Sequence, residues 1–464
     1  MNDSLIKLYN HLPAPLRSVA ASLRGQYLRS WRYGNDTEGL IEEALDRESW
    51  SPSQWKKWQE ERLAYVLHRA ATQVPYYREQ WSGRRRQGDL ASYEYLENWP
   101  ILKKDALRQN PLAFVAEDRN PKRMYLDHTS GTSGTPLKIW SSKHTLHAYF
   151  AIYEARIRRW HGLSINQRWA ILGGQPVVPV AAKQPPFWVY NASMNQLYLS
   201  ANHVSARNVR AYADAINRYG PTHMIAYPSS ASVLAREIIA AGLPLTCVTM
   251  LITNAEPVHP WQRSIITGAL GSQVRETYGM AETVAAASEC QHGKLHLWPD
   301  TGLVEIFSDT EDIPQRGSSK PGRFICTGLL NPDMPLIRYE VGDRGQIAPE
   351  TEHCSCGRTL PTVGRIEGRT NDVLIAKDGR RVYWLNPVFY GLPIREAQIV
   401  QQSVNRLRVR YVSAPDFKEG TKLLIAERLQ RRMGEVDVIM EQVEMVPREA
   451  NGKFRAVVCE LSNE

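Results

Sequence analysis

The sequence has little of what marks a chain that crosses a membrane or leaves the cell. No run approaches the ~18 apolar residues of a spanning helix. The N-terminus lacks the basic start, apolar stretch and small-residue cleavage site of a secretory signal. Six cysteines in 464 residues do not make a disulfide scaffold. Nucleic-acid signatures are missing too: there is no zinc-finger repeat, no RNP-type aromatic strand and no long Lys/Arg block. The formal charge of +9, from 57 basic and 48 acidic residues, is scattered and reads as a solvated basic face. It is densest at Arg84-Arg85-Arg86 and Arg431-Arg432. What is present is 43% apolar and 23% charged residues. That fills at least one large core and excludes a chain disordered throughout. The length prior gives about two or three domains, and the expected compartment is the cytoplasm.

The first 40 residues read as helical and basic, with Lys7, Arg17, Arg24, Arg29 and Arg32, and a turn at Pro13-Ala14-Pro15. Such a segment docks on its own body or rests on an anionic membrane; docking is the expectation. Helical spacing returns over 55–81, interrupted at Val74-Pro75-Tyr76-Tyr77. Strands are expected at 124–126 and 137–140, then a helix over 144–160. Buried strands at 169–172, 223–226, 248–253 and 273–277 follow, with helices at 204–218, 230–241 and 261–270 between them. Strands separated by such helices imply crossover units and a largely parallel sheet. The stretch 302–347 turns antiparallel, with strands at 302–307, 323–327 and 336–339. A hairpin around Asp378-Gly379, a strand at 406–412 and a helix at 422–433 suffice for a small final domain. The expected fold class is α/β: a large multi-subdomain N-terminal body with parallel and antiparallel sheets, plus a small α+β C-terminal lid domain. The expected divisions are a helical extension over 1–54, a body over 55–367 and a mobile domain over 368–464.

Five segments carry chemistry. Thr129-Ser130-Gly131-Thr132-Ser133-Gly134-Thr135 holds only hydroxyl residues and glycines, which can wrap phosphate oxygens with N–H and O–H groups. It lacks the Gly-Lys-Ser/Thr ending of a Walker A loop. Tyr278-Gly279-Met280-Ala281-Glu282-Thr283 follows a strand, so an aromatic can stack on a base while a carboxylate holds magnesium. Asp343, in Glu340-Val341-Gly342-Asp343-Arg344-Gly345, can accept hydrogen bonds from ribose hydroxyls. Gly364-Arg365-Ile366-Glu367-Gly368-Arg369-Thr370-Asn371-Asp372 and Arg448-Glu449-Ala450-Asn451-Gly452-Lys453-Phe454 complete the set. Separately, Cys354-Ser355-Cys356 with Cys290 and His296 offers three thiolates and an imidazole for a tetrahedral zinc site. His292 and His353 compete for the fourth place. Cys247, Cys326 and Cys459 read as apolar packers.

In this order the five segments resemble the adenylate-forming superfamily of acyl-CoA synthetases, nearest its phenylacetate–CoA ligase, coenzyme F390 synthetase and CapK-like branch. Val74-Pro75-Tyr76-Tyr77, Trp99-Pro100-Ile101-Leu102-Lys103-Lys104-Asp105 and Asn254-Ala255-Glu256-Pro257 add to the resemblance. Leu12-Pro13-Ala14-Pro15-Leu16-Arg17 looks like the CapK-type subset, associated with polysaccharide biosynthesis. The resemblance implies activation of a small carboxylic acid by ATP and Mg²⁺, then transfer to coenzyme A by a swinging C-terminal domain. It implies phosphate binding by Ser130, Gly131, Thr132, Ser133, Gly134, Thr135 and Lys138. Adenine would lie between Ala255, Glu256, Pro257, Tyr278 and Gly279, with Mg²⁺ on Glu282 and ribose on Asp343. Arg369 would close over the ribose and phosphate, and Lys453 would bridge carboxylate and α-phosphate. Branch members that this chain resembles can carry a structural zinc at the position of Cys290, His296, Cys354 and Cys356. Asn371 replaces the usual hinge Asp or Lys. That keeps other readings open: an amine, hydroxyl or carrier-protein acceptor, AMP transfer to a hydroxyl, or a non-catalytic nucleotide-binding partner of a polysaccharide assembly system. Tyr149, Phe150 and Tyr153, or Phe187, Trp188 and Tyr190, are candidates for an acyl pocket. A homodimer and peripheral membrane contact through the first helix are compatible with the sequence.

Overall fold

The computed structural model describes residues 8–129, 137–173, 175, 177–179, 181–308, 312, 314–315, 320–349, 354–369, 374–377, 381–382, 385–389, 392–448 and 454–461. The N-terminal third is helical: α1 (Ala14–Arg32), α2 (Thr37–Asp46), α3 (Pro52–Gln73), α4 (Pro75–Arg86) and α5 (Lys104–Gln109). Helix α3 starts in a capping box between Ser51 and Gln54. It stops before Pro75, which cannot continue the hydrogen-bond ladder but suits the first turn of α4. The interruption read at Val74-Pro75 is this joint. Helix α1 packs on the body: Ser18 Oγ accepts from Tyr190 N, Ser22 Oγ accepts from Ala192 N, and Arg29 donates to the Ser193 carbonyl. Gly25 is required there, since a Cβ would lie 2.0 Å from Asn191 Oδ1. Its outer face leaves Leu16, Val19, Leu23 and Tyr27 exposed. Among the described residues no helix is long and apolar enough to cross a membrane.

A hairpin of β1 (Tyr125–His128) and β2 (Lys138–Ser141) leads into α6 (Lys143–Tyr153). The strands β3 (Trp169–Gly173), β4 (Trp188–Asn191), β5 (Gln196–Ser200), β6 (His223–Ala226), β7 (Met250–Thr253) and β8 (Gln273–Gly279) follow, with α7 (Val209–Tyr219), α8 (Pro228–Ala240) and α9 (Pro260–Leu270) between them. Next come β9 (Ala286–Glu289), β10 (Leu295–Leu297), β11 (Gly302–Phe307), β12 (Gly322–Gly328), β13 (Tyr339–Ile347) and β14 (Thr362–Arg369). From β3 to β14 these strands form one twelve-stranded sheet, ordered β11-β12-β13-β14-β10-β9-β8-β7-β6-β3-β5-β4. Strands β5, β3, β6, β7 and β8 pair in parallel. Both β6 and β7 are buried throughout, as a parallel strand covered on two faces must be. Strand β8 is the seam: residues through Glu276 pair in parallel with β7, and Thr277, Tyr278 and Gly279 pair antiparallel with β9. The expected mixture of parallel and antiparallel pairing is therefore present in a single sheet.

Three local expectations shift. The helix expected over 144–160 ends at Tyr153 and continues as a π-helix over Glu154–Arg158, then a 3₁₀ turn over Arg159–His161. Glu154, Arg156 and Arg158 are buried there and bond inward, Arg158 to Glu154 and Arg156 to Asp300. The helix expected from 204 begins at Val209, because Asn208 Nδ2 holds the preceding turn through the His203 carbonyl. The strand expected over 336–339 begins at Tyr339 instead, because Arg338 takes a positive φ of 47°. Its guanidinium is held by the Glu97 and Trp99 carbonyls and by Glu305.

After β14 come the hairpin β15 (Leu374–Ile375) and β16 (Arg381–Val382), then β17 (Ile394–Ser403), β18 (Arg406–Ser413), α10 (Glu419–Met433), β19 (Asp437–Gln442) and β20 (Val457–Cys459). The last four strands form a separate sheet, ordered β19-β18-β17-β20, over their own apolar core. Strand β14 stays in the large sheet through Arg369, two residues past the expected division.

Candidate active site and metal cluster

Of the phosphate-loop candidates, Ser130, Gly131, Thr132, Ser133, Gly134 and Thr135 lie outside the described residues, but the base of their loop does not. Thr129 N donates to the Leu137 carbonyl at 3.1 Å, and Leu137 N donates to Thr129 Oγ1 at 2.9 Å. This closes the β1–β2 hairpin, with Lys138 exposed at its end opposite His128.

At the seam, Tyr278 Oη donates to Asp343 Oδ2 at 2.8 Å, joining segments 65 residues apart. The Tyr278 ring meets Phe324 edge-on at 6.2 Å. Burial and the Asp343 carboxylate beside it push the Tyr278 phenol far up, so it stays a donor. Glu282 is buried, and its carboxylate accepts from Tyr339 Oη at 2.9 Å. Thr283, with a φ of 51°, closes the turn by donating from N to the Met280 carbonyl. The buried Cys326 thiol is pushed well up by burial and by Asp343, Glu305 and Glu282, which makes it inert. Two carboxylates, Glu282 and Asp343, thus flank one end of β8, a setting that suits a hard cation with oxygen ligands. Arg369 ends β14 opposite Asp343.

The turn after β7 is strained at Ala255, whose φ is 64°. Glu256 beside it accepts from Ser229 N, Ser229 Oγ and Phe454 N, each at 3.0 Å. Burial raises its carboxyl above the ordinary value even against these bonds. Lys453 lies outside the described residues, but its neighbour Phe454 is thereby held on the body. Arg448, at the other end of the same loop, pairs with Glu396 and lies 4.7 Å over the Phe454 ring. Arg236 on α8 reaches the Arg395 carbonyl at 3.1 Å, a second link from the body. Sequence reasoning placed Glu256 in a turn but missed this contact, which spans 198 residues and has no local signal.

Cys290, His296, Cys354 and Cys356 bring their ligand atoms within 4.8 Å of one another. Cys290 Sγ and Cys354 Sγ are 3.7 Å apart, and Cys356 Sγ is 3.4 Å from His296 Nε2. Tetrahedral zinc gives edges of about 3.8 Å between sulfurs and about 3.6 Å from sulfur to nitrogen. His296 Nδ1 faces the Leu360 carbonyl at 3.0 Å, which leaves Nε2 as the free lone pair. The residues present fit a structural metal. His292 is exposed and outside the cluster, and His353 is not among the described residues. Missed by sequence reasoning was the shell around it. Arg358 lies 4.1 Å over Trp160, and both donate to Glu48. Thr359 N and Oγ1 each donate to the Glu48 carbonyl at 3.1 Å. The cluster is therefore tied to the turn that follows α2.

Residues 374–460 match the CapK C-terminal domain. Protein CapK of Staphylococcus aureus is 23% identical over 458 residues, spanning 97% of this chain and 98% of its own length. Phenylacetate-coenzyme A ligase of Thermus thermophilus is 26% identical over 445 residues, spanning 86% of this chain and 95% of its own. Over most of its length the chain is thus similar both to CapK and to a phenylacetate-coenzyme A ligase. The fold of such a ligase is also what the architecture repeats. A crystal structure of 2-hydroxyisobutyryl-CoA ligase, in its postadenylation state with R3-HIB-AMP, superposes with a TM-score of 0.67 at 19% identity. That match covers 89% of this chain and 91% of that ligase. The resemblance read from five short segments thus extends along nearly the whole relative.

Proposed function

We propose that the chain is an ATP- and Mg²⁺-dependent ligase that joins a small carboxylic acid to AMP and then passes the acyl group to coenzyme A. The observation that carries this reading is the convergence at the end of β8. Tyr278 and Asp343 are hydrogen-bonded there, Glu282 is buried one turn away, and Glu256 holds the backbone beside Lys453.

In this reading the acid's carboxylate oxygen bonds to the α-phosphorus of ATP, and the bond to the pyrophosphate oxygen breaks. Negative charge gathers on the phosphate oxygens, where fixed cations and preorganised donors act most strongly. The roles assigned from the family resemblance are for Lys453 to bridge the two anions, for Arg369 to close over the ribose and phosphate, and for the segment from Ser130 to Thr135 with Lys138 to bind the departing phosphates. Tyr278 flanks the adenine against the turn at Ala255, Glu256 and Pro257, while Asp343 accepts from the ribose. Glu282 would hold Mg²⁺, which would supply neutralisation of the phosphate charge. The C-terminal domain beyond β14 then rotates as a lid, and the thiol of coenzyme A displaces AMP.

Zinc on Cys290, His296, Cys354 and Cys356 is structural in this account, since four protein ligands leave no open position. The CapK resemblance supports a place in polysaccharide biosynthesis. Lys453→Ala tests the assignment: ATP should still bind while acid-dependent pyrophosphate release falls to background. Unchanged release would remove Lys453 from the mechanism.

A further inference from the structure

The π-helix after α6 marks a region that the adenylation reading does not use, and π segments recur at functional sites. Tyr149, on the last turns of α6, places its hydroxyl 3.7 Å from where a Cβ on Gly279 would stand, so it borders the end of β8. Phe150 packs at 5.4 Å from Tyr149 and 6.0 Å from Tyr153. Tyr33 reaches the same ring at 5.9 Å. Arg32, the last residue of α1, lies 4.5 Å over the face of Phe150.

These polar groups are unusual in what they lack. Among the described residues, the hydroxyls of Tyr33, Tyr149 and Tyr153 have no hydrogen-bond partner, and the Arg32 guanidinium has neither hydrogen bond nor ion pair. Burial raises the pKa of all three phenols, while Arg158 and then Arg32 pull Tyr33 and Tyr153 down and Arg32 pulls Tyr149 down; Arg158 lies 5.4 Å over the Tyr153 ring. None of the three hydroxyls is among the buried polar atoms sealed from solvent without a partner. The three side chains are partly buried and pack against the edge of the core, with their hydroxyls left within reach of solvent. Partly buried phenols and a cation without hydrogen-bond partners cost stability unless a ligand satisfies them.

We propose that a recess at this edge of the core, beside Gly279, receives the far end of the acid, and that the acid carries a second oxygen function there, a hydroxyl or a second carboxylate. Arg32 and the three phenols hold that group, and the Phe150 face flanks the carbon frame. The proposal deepens the ligase reading and rests on it, because Gly279 belongs to the segment assigned to the adenylate. It gives the N-terminal extension a part in substrate choice: α1 is fastened to the body and delivers Arg32 to the recess. An unsubstituted arylacetic or fatty acid would leave the cation and phenols unpaired.

The test uses the full chain and four acids: phenylacetic, 4-hydroxyphenylacetic, 4-carboxyphenylacetic and hexanoic. Binding is read by equilibrium dialysis of labelled acid with α,β-methylene-ATP, and adenylation by pyrophosphate exchange. The two oxygenated acids should exceed the other two by about tenfold or more, the usual worth of a charge-assisted hydrogen bond. Which of them binds tighter separates a phenol from a second carboxylate. Arg32→Gln should erase the preference and leave phenylacetic acid unchanged, and Tyr149→Phe should narrow it without loss of the ring. Arg24→Gln, on the outer face of α1, should change neither reading. Equal use of all four acids, unaffected by Arg32→Gln, would overturn the recess and leave the ligase reading standing. Arg32-dependent binding without exchange would do the reverse. No binding of either oxygenated acid would also overturn the recess.

Discussion

Glu256→Ala separates the two half-reactions in a way the geometry dictates. The carboxylate accepts three hydrogen bonds, two from Ser229 within the body and one from Phe454 in the C-terminal segment. Losing the Ser229 bonds affects the body in every state. The Phe454 bond exists only while the loop bearing Lys453 is docked. A hydrogen bond to a charged group is worth about 1.5–3 kcal/mol. Its loss should therefore weaken the docked state by about ten- to a hundredfold. The assay compares acid-dependent pyrophosphate exchange with thioester formation from preformed acyl-adenylate. Exchange should fall by that factor, and thioester formation should fall far less, since the lid has then left the turn. Equal losses in both would mean that Glu256 only stabilises the body. No loss in exchange would refute the docking argument.

Cys354→Ser should reduce bound zinc from about one per chain and lower the melting temperature, read by metal analysis and calorimetry; metal-free wild-type protein of equal stability would contradict the cluster's role. Glu276 carries a pH signature. Burial pushes its carboxyl up to about 7, so the folded chain holds that proton more tightly than the unfolded chain does. Its contribution is complete below the ordinary carboxylate range and is lost as pH rises through about 7. Glu276→Gln should therefore gain stability relative to wild type between about pH 5 and 7 in denaturant titrations, and a constant difference would refute the assignment.

Much of the scaffold was legible because burial on both faces leaves a plain signature. His223, Met224, Ile225 and Ala226 form a wholly buried strand, as do Met250, Leu251, Ile252 and Thr253. Strand β17 was not, because its sequence mixes Ile394, Arg395, Glu396 and Gln398 without clean alternation; Glu396 instead pairs with Arg448 in its own domain and faces Arg236 of the body at 3.9 Å. The break of the helix at Tyr153 was hidden, since buried Glu154, Arg156 and Arg158 fit the helical spacing and differ only in their partners. The site divides in the same way. Tyr278, Glu282 and Asp343 sit in short motifs that could be picked out by residue type, and the Cys-x-Cys pair pointed to the cluster that Cys290, His296, Cys354 and Cys356 form. The grip of Glu256 on Phe454 and the approach of Arg32 to Phe150 depend on how distant elements pack. No local pattern encodes either.

Acid-dependent exchange of labelled pyrophosphate into ATP bears most directly on the central claim, because it reports reversal of adenylate formation without requiring the acceptor. The account predicts exchange that needs both Mg²⁺ and an added carboxylic acid, and that disappears in Lys453→Ala. No exchange across aryl, hydroxyaryl, dicarboxylic, fatty and sugar acids, in protein that still binds ATP, would contradict it.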